Sequence, residues 1–239
     1  LETLTILKEA HKKKSKIISF SSGGKIEKYC KNNKIEYRKL KQIHSPRGSF
    51  MNYFNSILNT LQPMLPVKKN EIIQSIKKIE LLSKNISSNN LTKNNQAINL
   101  AEWISTIPII YYPYGLKAAA NRFKNSLQEN SKSHAISENI VEMCHNGIVS
   151  WEQDKKIQPI LIEGKNDYHK TKLLQKIIKE YFVNNNIDFR TVSTPSGSII
   201  TKLVYLIYFL DFVSIYKSII NQIDPTPVRS IEYLKSKFL

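Results

Sequence analysis

An α/β fold of two doubly wound parallel-sheet units, each a three-layer αβα arrangement, is predicted for this 239-residue chain by three observations. Near the start a helical period gives way to a short apolar strand, a glycine turn and a new helix, which is the rhythm of a parallel sheet. After residue 96 the alternation returns, with apolar strand patterns at 107–112, 156–163 and 189–193 between helical ones. Residues 83–95, polar and rich in Asn and Ser, separate the two regions and read as a linker. The expected division is 1–82, the linker 83–95, and 96–239.

Taken in order, residues 2–11 are periodic from the outset, with Leu4, Leu7 and Ala10 spaced by three. The chain opens at Leu1 inside that helix, so it is expected to be a fragment or to lack its true N-terminus. A strand at 17–20 ends in Ser21-Ser22-Gly23-Gly24, and a helix follows at 25–32. Glycines there let a backbone approach a ligand, and the next helix offers free N–H groups; a plain turn explains them more simply. Residues 35–40 form a second strand, and Pro46 and Gly48 mark a turn before a helix at 51–61. Pro63 and Pro66 break the chain, and Ile72, Ile76, Ile79 and Leu82 line one face of a helix at 70–82.

In the second region, a helix at 97–104 leads to strand 107–112 and Gly115. Ala119, Phe123 and Leu127 fall four apart and predict a helix over 118–127, which polar residues 128–131 end. Strand 156–163, helix 168–183, strand 189–193 and a long helix over 199–221 follow, and a short helix at 229–238 closes the chain. The apolar run 199–220 could span a bilayer by length, but Lys202, Asp211 and Lys217 within it predict a buried helix and no membrane partner.

Composition excludes several classes. Hydrophobic content of 41% and aromatic content of 10% belong to a globular chain. The net charge of +17 comes from scattered lysines without aromatic interleaving or a nucleic-acid module. No specific nucleic-acid partner is expected, only weak binding to polyanions at low salt. Two cysteines, Cys30 and Cys144, are too few for a disulfide framework and suit a reducing cytoplasm, where the protein is expected. His11, His44, His134, His145 and His169 show no zinc-type spacing, so neither a metal nor a cofactor is expected.

The chemistry concentrates in residues 121–151. Glu129 falls near the end of the 118–127 helix, where the negative end of the dipole is an unfavourable place for a carboxylate. A carboxylate held so is a candidate to accept and return a proton. His145 follows sixteen residues later. Each alone reads as a helix-end carboxylate or a loop histidine.

The pattern A-A-x-R-x-K-x-x-x-x-E-N-S-K at 119–132, followed by E-x-x-H-N-x-I-V-x-W at 142–151, resembles the bifunctional phosphoglucose/phosphomannose isomerase family. Its enzymes have two sugar-isomerase (SIS) domains. The resemblance implies that 1–82 is the C-terminal part of a first SIS domain, incomplete at its start, and 96–239 a second. It implies a metal-free cis-enediol interconversion of glucose 6-phosphate and mannose 6-phosphate with fructose 6-phosphate. Glu129 would carry the proton, and His145, aided by Lys235, would open the sugar ring. Lys235 is taken from the family's D-P-x-x-V-x-x-I-x-x-L-K ending, with Lys237 two positions away. Arg47, at the arginine of a P-R-A-x-x-G-Y segment, would stabilise the enediolate, and Thr3 remains from a run whose serines and threonines hold the sugar phosphate. The family also implies a homodimer in which His145 of one chain completes the site of the other. The rival expectations are a non-catalytic sugar-phosphate-binding module, an inactive fragment, and a basic nucleic-acid-binding protein.

Overall fold

The structure is a computed structural model that describes residues 2–153 and 156–237. It is a mixed α/β fold with parallel sheets, in two units that meet in sequence at Lys68 and Lys69. The first unit contains α1 (Glu2–Lys12), β1 (Ile18–Ser21), α2 (Gly24–Asn32), β2 (Glu36–Lys39) and α3 (Phe50–Leu61). Strands β1 and β2 pair in parallel from Ile18↔Glu36 to Ser21↔Lys39, and α2, which connects them, packs on both. Gly23 and Gly24 adopt φ of 137° and 74°, so this turn requires glycine. Its Gly23 amide donates to Ser21 Oγ at 3.2 Å, as in a self-contained turn.

The second unit begins with α4 (Lys69–Ile86) and α5 (Gln96–Trp103). Next come β3 (Ile107–Tyr112), α6 (Lys117–Asn130), β4 (Ile136–Asn139) and the single turn α7 (Ile140–Met143). A 3-10 turn at Gly147–Glu152 leads into β5 (Ile157–Glu163), α8 (His169–Asn184), β6 (Arg190–Ser193), α9 (Ile199–Ile220) and α10 (Arg229–Lys237). The four strands are parallel in the order β4-β3-β5-β6, so the chain starts at a central strand and winds first one way and then the other. Side chains alternate across the sheet. Ile109, Tyr111 and Leu161 face a core closed by Ile140, Met143 and Trp151 and by Ile178 and Phe182 of α8. Ile110, Ile160 and Ile162, all fully buried, fall in the opposite phase, towards the side covered by α6 and the helices packed with it.

Helix α9 is the hub of that second layer, packing against α4, α5 and α6. It is long and apolar enough to cross a membrane, yet more than half of its most apolar stretch is buried within the unit. Its charges are accommodated inside: Lys202 lies 3.5 Å from Asp167, and burial pushes the Lys217 ammonium below its ordinary value.

The expected break at residue 82 and linker at 83–95 differ from the packing. Helix α4 continues to the buried Ile86 and belongs with the second unit. The Asn-Ser content beyond it does capping work. Asn95 is fully buried; its Oδ1 accepts from the amides of Ala97 and Ile98 at 3.0 and 3.2 Å, and its Nδ2 donates to the carbonyls of Ile86 and Asn90. Tyr216 of α9 donates to the same Ile86 carbonyl at 2.6 Å. Polar composition here signals backbone hydrogen bonding, not slack.

Just before α9, Gly197 has φ of 147°, and a Cβ added there would lie 2.9 Å from the Cβ and Cγ2 of buried Thr201. Gly197→Ala is therefore expected to cost about 1–2 kcal/mol in chemical denaturation, the scale of one strained backbone position. An unchanged midpoint would show that the turn can rearrange.

Candidate functional site

Glu129 occupies the last turn of α6, which runs one turn further than its apolar period foretells. Ala119, Ala120, Phe123 and Leu127 fix one side of this helix in the core with no exposure. A polar ladder fixes its relation to α9. Arg122 donates through Nε and Nη2 to Asp211 Oδ2 at 3.1 and 2.6 Å, and Ser126 Oγ donates to Asp211 Oδ1 at 2.9 Å. One turn on, Asn130 Nδ2 donates to Ser214 Oγ at 2.8 Å. Residues 122, 126 and 130 share a helix face, so the rungs stack. Burial holds the Asp211 carboxyl above the usual carboxylate range, opposed by the charge and hydrogen bonds of Arg122. Glu129, next to the last rung, is left half-buried.

The chain after α6 turns back through Lys132, at φ of 56°. Lys132 Nζ donates to the carbonyl of Glu129 and, at 2.8 Å, to that of Pro227. It thereby fastens the Asp224–Val228 segment across the end of the helix. The result is a cavity of about 750 Å³ lined by Asn125, Gln128, Glu129, Lys132, Asp224 and Arg229 among others. Pockets of this size enclose small organic ligands. Glu129 is its half-buried carboxylate, and Arg229 and Lys132 bring positive charge.

His145 stands elsewhere. It lies in the exposed turn after α7, its amide donating to the Glu142 carbonyl at 3.0 Å, and Asn139 caps α7 through the Val141 amide at 2.8 Å. The order α6–β4–α7 puts Glu129 before the amino end of β4 and His145 beyond its carboxyl end. Among the described residues His145 does not line the Glu129 cavity. The neighbouring Cys144 donates to the Ile140 carbonyl at 3.2 Å, and burial, followed by Glu138, pushes its thiol up, as for an inert packing residue. Burial likewise raises Glu138, with Glu142 adding to it.

Lys235 is exposed on α10 and is not among the described residues lining the cavity, whereas Arg229, at the start of that helix, is. Lys237 lies 5.5 Å from the Tyr233 ring centre. In the first unit, Thr3 is exposed in the opening turn of α1, and Arg47 is half-buried in the turn closed by Ser49 N to Ser45 O at 2.9 Å. The described residues hold no cluster of three or more His, Cys, Asp or Glu side chains placed to ligate a metal. No site role for Lys132, Arg229 or the Arg122–Asp211 pair is read from the sequence, although Arg122 and Lys132 both stand in the motif at 119–132.

Residues 93–238 match the family model of the bacterial phospho-glucose isomerase C-terminal SIS domain. The bifunctional phosphoglucose/phosphomannose isomerase of Caldicellulosiruptor bescii is 26% identical over 99% of this chain and 72% of its own length. That of Aquifex aeolicus is 27% identical with the same coverage. Among solved structures, a glucose-6-phosphate isomerase like protein from Thermus thermophilus superposes with a TM-score of 0.65 at 13% identity, over 84% of this chain and 69% of that one. Tagatose-6-phosphate ketose/aldose isomerase from Escherichia coli does so with a TM-score of 0.66 at 10% identity, over 88% of this chain and 61% of that one. At such identities these two likenesses concern the fold.

Proposed function

Because the chain belongs to the family of bacterial phospho-glucose isomerase C-terminal SIS domains, we propose that it interconverts glucose 6-phosphate and mannose 6-phosphate with fructose 6-phosphate. The observation that carries this reading is Glu129, a half-buried carboxylate on the wall of a cavity of about 750 Å³. One carboxylate suffices for an aldose–ketose shift through a cis-enediol. It removes the proton from C2 of the aldose, the electrons pass into the enediolate, and the same proton returns at C1 on the same face. In this proposal His145 moves the proton that opens the ring, Lys235 assists it, Arg47 offsets charge on the enediolate oxygen, and Thr3 contacts the phosphate. We place the two halves of the chemistry in different chains of a homodimer. Support comes from β4, which separates Glu129 from His145 within one chain.

The test is turnover with fructose 6-phosphate, following both aldose phosphates. Both products are expected, and both should vanish in Glu129→Gln. Full turnover in that variant would remove Glu129 from the mechanism. Binding of fructose 6-phosphate without turnover would favour a non-catalytic sugar-phosphate module.

A further inference from the structure

A second cavity, of about 560 Å³, opens where β5 and β6 end, lined by Lys165, Lys172, Lys176, Lys179, Gln175 and Thr194 among others. It is distinct from the Glu129 cavity, because α6 carries the chain from the carboxyl end of β3 to the amino end of β4. The two cavities therefore belong to opposite edges of the sheet. Lys179 is paired with Glu163, and Lys176 lies 3.8 Å from Glu180. Lys165 and Lys172 have no carboxylate partner among the described residues. Two unneutralised ammonium groups beside one cavity favour an anion there.

Two buried side chains add capacity that scattered surface lysines lack. Gln175, 3% exposed, donates from Nε2 to the Ile162 carbonyl at 3.1 Å, while its Oε1 accepts from no described group. No enclosed side-chain polar atom lacks a partner among the described residues, so that oxygen opens onto the cavity as a free acceptor. Thr194, 4% exposed, accepts from the Lys165 amide at 3.2 Å, and its own hydroxyl proton has no acceptor among the described residues. The Gly164 amide is already held by Asp167 Oδ2 at 2.7 Å, so recognition falls to side chains. Cations, an acceptor and a hydroxyl donor together fit a ligand that is both anionic and hydroxylated.

We infer that this crevice is a second binding site, for a small phosphate ester of a polyol. Lys165 and Lys172 hold the phosphate, Gln175 Oε1 accepts from a ligand hydroxyl, and Thr194 donates to a ligand oxygen. The inference is independent of the isomerase reading, since it uses none of the groups assigned to turnover.

The experiment follows the amide resonances of Gly164, Lys165 and Thr194 in the ¹⁵N-labelled full chain during titration with sorbitol 6-phosphate, inorganic phosphate and sorbitol. Sorbitol 6-phosphate is expected to shift them saturably, about tenfold or more tighter than inorganic phosphate, as two additional hydrogen bonds would give. Sorbitol should leave them unmoved. Lys165→Ala/Lys172→Ala should abolish the response while leaving any turnover of fructose 6-phosphate unchanged, and Thr194→Val should remove the preference over inorganic phosphate. Equal affinity for inorganic phosphate would mean an adventitious ion only and overturn the inference, as would the absence of saturable shifts at these three amides. Failure of the isomerase reading would show instead as turnover insensitive to Glu129→Gln.

Discussion

A mixture of Glu129→Gln and His145→Ala chains, each inactive alone, is expected to regain isomerase turnover. Loss of a positioned proton-transfer group costs typically 10²- to 10⁴-fold, which sets the expected depth of the Glu129→Gln defect. Restoration rests on the proposed homodimer, which the intrachain topology favours. Within a chain, four residues of parallel strand separate the end of α6 from the turn that carries His145. If His145 is lent across a two-fold axis, a mixed dimer holds one site with both native groups and one with neither. Random reassortment makes half the dimers mixed, so about one quarter of native turnover should return. A mixture no more active than its parents would contradict a site shared between chains.

Asp211→Ala is expected to lower the stability of the second unit by about 2–4 kcal/mol, somewhat less than for a fully buried ion pair because this one keeps some contact with water. Side-chain exposure is 19% for Arg122 and 29% for Asp211, and the substitution leaves both Arg122 and Ser126 without their shared acceptor. The pH dependence has a definite sign. The distances describe a charged pair, yet burial outweighs Arg122 and holds the folded carboxyl above its ordinary value of 3.8. The folded state thus binds this proton more readily than the unfolded state. Stability from this titration is fully present below the unfolded value and is lost as pH rises through the folded one. The gap between native protein and Asp211→Ala in urea denaturation should accordingly be wider in mild acid than at neutral pH. The opposite trend would mean that Arg122 wins over burial.

The elements legible in the sequence are those whose pattern is local. The apolar strands and α9 declare themselves by composition, and the structure moves their ends by a residue or so. Strand β4 does not, because Ile136-Ser137-Glu138-Asn139 has little strand propensity and is a strand through its pairing with β3. The capped turn at 87–95 reads as a linker by composition because Asn and Ser serve both purposes. At the site, Glu129 and His145 stand out through their motif. Arg122 and Asp211 are 89 positions apart, and Arg229 lines the cavity at the end of a segment to which Lys132 is bonded through the Pro227 carbonyl. Such long-range pairings leave no periodic trace in a chain.

The place of α9 in the order of synthesis has a consequence for how the protein is made. Helices α4, α5 and α6 all pack on α9, yet α4 is complete at Ile86 and α9 starts only at Ile199. At ribosomal speeds of about 5–20 residues per second, α4 waits roughly 6–20 seconds for its partner. During that interval the α9-facing side of α4, joined by those of α5 and α6 as they emerge, is open to solvent or to whatever escorts a nascent chain. Yield in the cell should therefore depend on holdase capacity as well as on the stability of the finished molecule.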